Sequence, residues 1–252
     1  MKYIILILIL ILFLINYYPL IFYDNDLQIK YKEYISLKVP FLIENYYDMK
    51  DLEIYKPKNL IPIFGDSKVE VSEYMKNEFY SINTFKLSFT DFINMNFNID
   101  SNRKYQSKMF VNDTLLNSMI KIHIDKYLNI YTTNSMFWKV GYKKIRFSLS
   151  PWDFPEHFDC IDQILVVLYG NRQIYMNNIE YDLKAGNAVF IPAKQNHYIK
   201  SVGNDFSILL TIGLHPYSLF KNFKESKEYI SCHDEFTNKW PKQSKVLEGG
   251  KY

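Results

Sequence analysis

Cysteine is almost missing from this chain. Its 252 residues carry two, Cys160 and Cys232, too few for a disulfide framework. The pair reads as two free thiols, although a bridge between them would staple the carboxy-terminal tail beside Asp159. Charge of one sign is lacking too: the formal net charge is +3 and the lysines are scattered. No basic stripe of the kind a nucleic-acid surface needs is present. Absent as well is a small-x-small cleavage site after the apolar amino terminus, which argues against a cleaved secretory signal.

Apolar and aromatic residues are what the chain has in quantity. A composition of 48% hydrophobic and 23% charged residues supports one sizeable core and one main domain. With 22 Tyr and 19 Phe it favours strands over helices. The segment from Tyr3 to Ile15 is unbroken apolar and the run resumes after Asn16 to Tyr23. That gives roughly 20 residues, enough to cross a bilayer despite Pro19. Residues 1–23 therefore read as an uncleaved single-pass membrane anchor, 24–36 as a polar connector, 37–217 as the folded domain and 218–252 as a tail. Lys2 and the amino group place the short side in the cytosol and the domain in the lumen, while Lys30, Lys32 and Lys38 pull the other way; the balance falls on a lumenal domain. Asn112-Asp113-Thr114 is a glycosylation triplet that only a lumenal domain would use.

Short pieces precede the main motif. Val39 to Asn45, Asn59 to Phe64 and Lys68 to Val71 read as strands, the last two around a Gly65-Asp66 turn. Ser88 caps a short helix that carries Phe89, Phe92 and Ile93 on one side. A strand from Tyr105 to Asn112, a helix from Thr114 to Tyr127 and extended pieces at Ser135–Tyr142 and Ile145–Leu149 follow. His123, alone on its helix, reads as a surface or partly buried residue. The tail segment from Tyr217 to Ile230 reads as a helix suited to dimerisation or to a lid.

The chain is organised around residues 157 to 201. His157 and Asp159 stand two apart, which on an extended strand puts both on one face. ILVVLY, apolar on both faces, suits a strand inside a sandwich. Gly170-Asn171 and Asn177-Asn178 tolerate turn dihedrals on either side of QIYM, and IEYDL follows. Lys184 to Asn187 makes another turn, and AVFIP is a strand whose proline must close it. His197 then returns. Two imidazoles and one carboxylate meeting at a point form the facial triad that holds Fe(II) and leaves positions open. Glu156 and Asp162 are nearby acids, Glu156 on the opposite face from His157; His215 falls towards the rim.

His157-x-Asp159, Gln163, Gly170, Gly186, Pro192 and His197 resemble, in order and spacing, the two-part signature of the cupin superfamily, with Asp159 in place of its second His and Gln163 in place of its Glu. HFDCIDQILVVLYGNRQ with KAGNAVFIPAKQNH is similar to the JmjC-type and related cupin-like hydroxylases, over residues 150 to 215. The resemblance implies a mainly β fold, a double-stranded β-helix or jelly roll with a few flanking helices, in which the segment at Pro40 opens the domain as an edge strand. It implies Fe(II) held by His157, Asp159 and His197, and 2-oxoglutarate as cosubstrate. Arg172 stands where such enzymes carry a basic residue for the distal carboxylate, which a guanidinium grips with two parallel bonds. Gln163 takes the place of a polar residue near the iron-bound end, and Thr211 adds a hydroxyl to the same pocket. No catalytic side chain beyond the metal ligands is needed. The expected activity is a membrane-anchored dioxygenase, a hydroxylase or demethylase with a protein substrate; the alternatives are a non-catalytic metal-binding cupin module and a cupin enzyme for small molecules that does not use 2-oxoglutarate.

Overall fold

The computed structural model of the chain describes residues 34, 37–75, 81–95, 103–110, 138–149, 154–202, 206–216 and 227–239. Strand β1 (Phe41–Ile43) directly follows Pro40 and lies at a sheet edge, where a residue without an N–H costs no ladder bond. A short helix α1 (Met49–Leu52), capped by the Asp48 carboxylate, and a single 3-10 turn (Glu53–Tyr55) lead to helix α2 (Pro57–Phe64). Here the expected strand at Asn59–Phe64 is corrected. Pro57 opens the helix where its fixed φ is favourable and its missing N–H costs nothing. Leu60 and Phe64, four residues apart on one face, are 0% and 3% exposed. A short apolar run has no periodicity to distinguish helix from strand, so the neighbouring core decides.

Strands β2 (Lys68–Met75) and β3 (Ser81–Ser88) form a hairpin, and Ser88 caps helix α3 (Phe89–Asn94) by accepting from the Asp91 amide. The two phenylalanines of α3 are fully buried, as its one-sided apolar pattern requires. Strand β4 (Arg103–Phe110) follows, then β5 (Trp138–Leu149). The two extended pieces expected at 135–142 and 145–149 are thus one strand from Trp138 onward, with a bulge where β5 meets its partner near Gly213. The remaining strands are β6 (Phe154–His157), β7 (Asp162–Tyr169), β8 (Asn171–Met176), β9 (Ile179–Lys184), β10 (Ala188–Ile191), β11 (His197–Ser201) and β12 (Ser207–Pro216).

Strands β5 to β12 make an antiparallel jelly roll. Four of them stand in the order β10-β7-β12-β5 and face a second sheet in the order β6-β11-β8-β9. The first sheet grows to eight strands by adding β1 beside β10 and β4, β2 and β3 beyond β5. Every residue of β7 from Asp162 to Leu168 is buried, because its two faces meet two different cores. Leu165 and Val167 point between the sheets with Ile174, Met176, Leu183 and Leu209. Ile164, Val166 and Leu168 point outward against Leu60, Phe64, Phe89 and Phe92, so the helices form an outer layer.

The turns follow their residues. Asn177 and Asn178 have φ of 51° and 61°, the two left-handed positions of a two-residue hairpin loop. Gly170 and Gly186 have φ of +80° and +94°. At Gly186 an added Cβ would also lie 3.0 Å from the Tyr47 carbonyl oxygen, so both the dihedral and the space call for glycine.

Helix α4 (Lys227–Lys239) is the described part of the tail. It includes the last four residues, 227–230, of the helix expected from Tyr217 to Ile230; residues 217–226 lie outside the described residues. No helix among the described residues is long and apolar enough to cross a membrane. The anchor expected at 1–23, most of the connector, the helix at 114–127 and the Asn112 triplet lie outside the described residues.

Candidate metal centre

His157 is the last residue of β6 and His197 the first of β11, and they stand opposite each other in the antiparallel register, so their side chains share a face. The ring centroids are 4.2 Å apart. His157 Nδ1 lies 2.8 Å from the Pro155 carbonyl oxygen and His197 Nδ1 lies 3.0 Å from that of Gln195. A carbonyl oxygen only accepts, so each Nδ1 carries a proton and each Nε2 of the neutral ring keeps its lone pair. Both Nε2 atoms face Asp159, each 3.7 Å from Oδ2. One ligand atom from each of the three residues fits within 4.8 Å of the other two.

That geometry suits one ion. Two atoms at that spacing both reach a metal at ~2.1 Å with an angle of roughly 120° at the ion. Bringing the carboxylate several tenths of an ångström closer gives about 3.0 Å, the spacing of adjacent corners of an octahedron at the same radius. The Asp159 side chain is 34% exposed and has room to make that move, whereas that of His197 is 1% exposed and fixed. Neutral imidazoles with a carboxylate are a donor set for Fe(II), Zn(II) and similar ions, and open positions on such a triad favour iron.

One expectation needs correcting. Asp159 is not on a strand with His157: β6 ends at His157, and residues 158–161 cross from one sheet to the other before β7 begins at Asp162. Convergence comes from this crossing and not from strand alternation. Glu156 is exposed, as its opposite face implies. Asp162 is 2% exposed and stays out of the cluster, its carboxylate pairing with Lys38 and accepting from the Ala193 amide at 2.8 Å. The side chain of His215 lies outside the described residues.

The two cysteines are also corrected: they are joined. Cys160 and Cys232 form a disulfide with their Cα atoms 5.7 Å apart. Nothing in two cysteines 72 positions apart announces the pairing; the fold creates it by packing Cys232 of α4, 1% exposed, against Phe158 and Cys160. Lys194 and Glu235 add an ion pair at 3.6 Å, so α4 is tied to the loops before both β7 and β11. Cross-linking a loop of this length removes about 4 kcal/mol of unfolded-chain entropy.

Arg172 is not a solvent-facing hairpin residue. It is 1% exposed, in the inward row of β8 with Ile174 and Met176, and donates from Nη2 to the Ser207 hydroxyl of β12. Thr211, 2% exposed, lies on β12 in the same inward row as Leu209, and its Oγ1 has no hydrogen-bond partner. Gln163, 4% exposed, begins the inward row of β7 that continues through Leu165. Metal cluster, Gln163, Thr211 and Arg172 thus all belong to the space between the sheets. In the β8–β11 register His197 stands opposite Met176 and Ser201 opposite Arg172, a separation of four residues or ~13 Å along the strand. Ser207 is the contributor sequence reading missed. Its only signal is register, since nothing local marks a serine at a strand start.

Solved structures share this fold. A structure of Escherichia coli YcfD aligns with a TM-score of 0.50 at 12% identity, covering 88% of this chain and 59% of that one. Two others of YcfD, described as a ribosomal oxygenase, hold cobalt with succinic acid and cobalt with 2-oxoglutarate. Their TM-scores are 0.49 and 0.47, each at 13% identity with 88% of this chain and 58% of that one covered. The chain therefore spans about three-fifths of the length of YcfD, and the likeness establishes the jelly-roll fold. No family model and no curated protein matches the chain.

Proposed function

We propose that the protein is an Fe(II)- and 2-oxoglutarate-dependent oxygenase of the JmjC-like type that hydroxylates a protein side chain. The observation that carries this reading is the convergence of His157 Nε2, His197 Nε2 and Asp159 Oδ2 at one end of the barrel interior. Their tautomers are set by backbone carbonyls, so both lone pairs are presented without rearrangement. A buried guanidinium inside the same barrel supports the cosubstrate half. Arg172 lies ~13 Å along the strand from the level of His197, a span that a five-carbon dicarboxylate and an arginine side chain together bridge.

Iron held here, with 2-oxoglutarate and dioxygen, would supply decarboxylation to succinate coupled to oxygenation of a C–H bond. The chain's residues supply position. The histidines and Asp159 hold the ion, Arg172 takes the distal carboxylate, and Gln163 and Thr211 offer polar atoms to the rest of the cosubstrate. The apolar wall of Leu165, Val167, Ile174 and Leu209 keeps bulk water out. A protein substrate is what the resemblance of the 157–201 motif to the JmjC-type hydroxylases implies.

The test is turnover. With Fe(II), ascorbate and 2-oxoglutarate, and protein extract as the source of substrate, the full chain is expected to release succinate above a metal-free control. A protein that binds metal but releases none would retain the metal centre and lose the cosubstrate reading.

The apolar run at 1–23 is read as a membrane anchor with the domain on the lumenal side. Supporting this orientation is the Cys160–Cys232 bridge, since disulfides persist in oxidising compartments. Trapping thiols with an alkylating agent in intact cells is expected to leave both cysteines unmodified and paired. Recovery of both as alkylated thiols would return the domain to a reducing compartment.

A further inference from the structure

Asp162 is a buried carboxylate that the metal chemistry does not use. Its side chain is 1% exposed, and burying a charge this far is costly unless it is paired and hydrogen-bonded. Both oxygens are occupied, and by different parts of the chain. Oδ2 pairs with Lys38, whose backbone holds a φ of 56° just before β1. Oδ1 accepts from the Ala193 amide at 2.8 Å. The next residue along, Lys194, donates its amide to the Asp159 carbonyl at 2.8 Å. Two adjacent amides of the 192–196 loop are therefore received by Asp159, inside the crossing between β6 and β7, and by Asp162, where β7 begins.

These loops are the ones that matter to the centre. The crossing carries Asp159, and the 192–196 loop ends at His197 while supplying the Gln195 carbonyl that sets its tautomer. His157 and His197 are held to each other by the register of β6 and β11, but β6 stops before Asp159. The strand ladder comes near the carboxylate only through Gln163, which stands opposite Ile191 in the β7–β10 register, and among the described residues Asp159 itself has no place in it. Beyond that pairing, the links between the crossing and the His197 loop are the Lys194–Asp159 backbone bond and the Asp162–Ala193 bond, with the disulfide at Cys160 tying the crossing to α4.

We infer that Asp162 is the positioning residue of the centre: it locks the Asp159 crossing to the His197 loop, and Lys38 supplies the countercharge that lets an ionised carboxylate do so while buried. This rests on the metal reading above. Outer partners that orient ligands typically change metal affinity 10–100-fold when removed.

The experiment is a Co(II) titration of the full chain, following the d–d absorption, with thermal melting beside it. Asp162→Ala is expected to weaken Co(II) binding by roughly 10–100-fold and to alter the band shape. Asp162→Asn keeps an acceptor for Ala193 and is expected to recover part of the affinity. Lys38→Met, which leaves the carboxylate in place and removes its countercharge, is expected to fall between wild type and Asp162→Ala. A merely structural role would lower the melting temperature and leave the dissociation constant and spectrum unchanged in the folded fraction. Wild-type affinity and spectrum in Asp162→Ala would overturn the inference while sparing the metal site. Should Asp162→Ala fail to fold, wild-type affinity in both Asp162→Asn and Lys38→Met would overturn it equally. A wild-type chain that binds no Co(II) would remove the metal reading itself, and this inference with it.

Discussion

Replacing His197 with alanine is expected to lower metal affinity by more than 100-fold and to bring succinate release down to the metal-free background. A lost outer partner already costs 10–100-fold, and His197 contributes a ligand atom itself. The ring is also the most fixed of the three donors, its side chain 1% exposed and its Nδ1 engaged with the Gln195 carbonyl, so no neighbour swings in to replace it. The variant leaves a cavity, and a core truncation of this size costs about 2–5 kcal/mol. Asp159→Ala supplies the control, because a side chain 34% exposed leaves no comparable hole. Both variants should lose the metal, and only His197→Ala should melt earlier by a wide margin. Metal content measured on the folded protein together with succinate release checks this. Stoichiometric metal in both variants would show that the three groups meet without holding an ion.

Arg172→Met is expected to separate the cosubstrate from the fold. A charge-assisted pair with a carboxylate contributes about 1.5–3 kcal/mol, which at 1.4 kcal/mol per factor of ten raises the KM for 2-oxoglutarate by roughly 10–150-fold. Metal affinity should stay near wild type, since the register sets Arg172 opposite Ser201 and not opposite a ligand. Stability responds differently. Apolar residues of similar volume often replace buried charges at little cost or with a gain, while Ser207 loses the donor it receives from Arg172, worth about 1–3 kcal/mol if its oxygen finds no other. The net change should stay within ~2 kcal/mol. A structural arginine predicts the reverse, a large fall in melting temperature with an unchanged KM. Steady-state succinate release across 2-oxoglutarate concentrations, beside a melt, distinguishes the two; an unchanged KM would return Arg172 to a packing role.

Several features were legible because local chemistry specifies them. The Asn177-Asn178 loop and the glycines at 170 and 186 occupy a backbone geometry few residues tolerate, and Pro192, with no N–H to give a ladder, follows the end of β10, so their order along the chain marks the hairpins. ILVVLY announced a strand buried on both faces, and β7 is one. The Ser88 cap and the one-sided phenylalanines announced α3. By contrast, NLIPIF carries no period, and its helical form depends on the pocket that receives Leu60 and Phe64. The place of Arg172 in the motif was legible, but its burial became visible only once β12 placed Ser207 against it.

By itself the sequence determined the identities and chain order of the donors, the strand and turn punctuation between them, and hence a jelly roll carrying a His, Asp and His set. Tertiary structure alone decided that Asp159 reaches the imidazoles from a crossing between sheets, that Asp162 and Lys38 hold that crossing, and that Cys160 joins Cys232. The physical reason is range. Dihedral preference and alternation act over a few residues and can be read along the chain, whereas ion pairs, burial and a disulfide between positions 72 apart depend on which strands become neighbours in space.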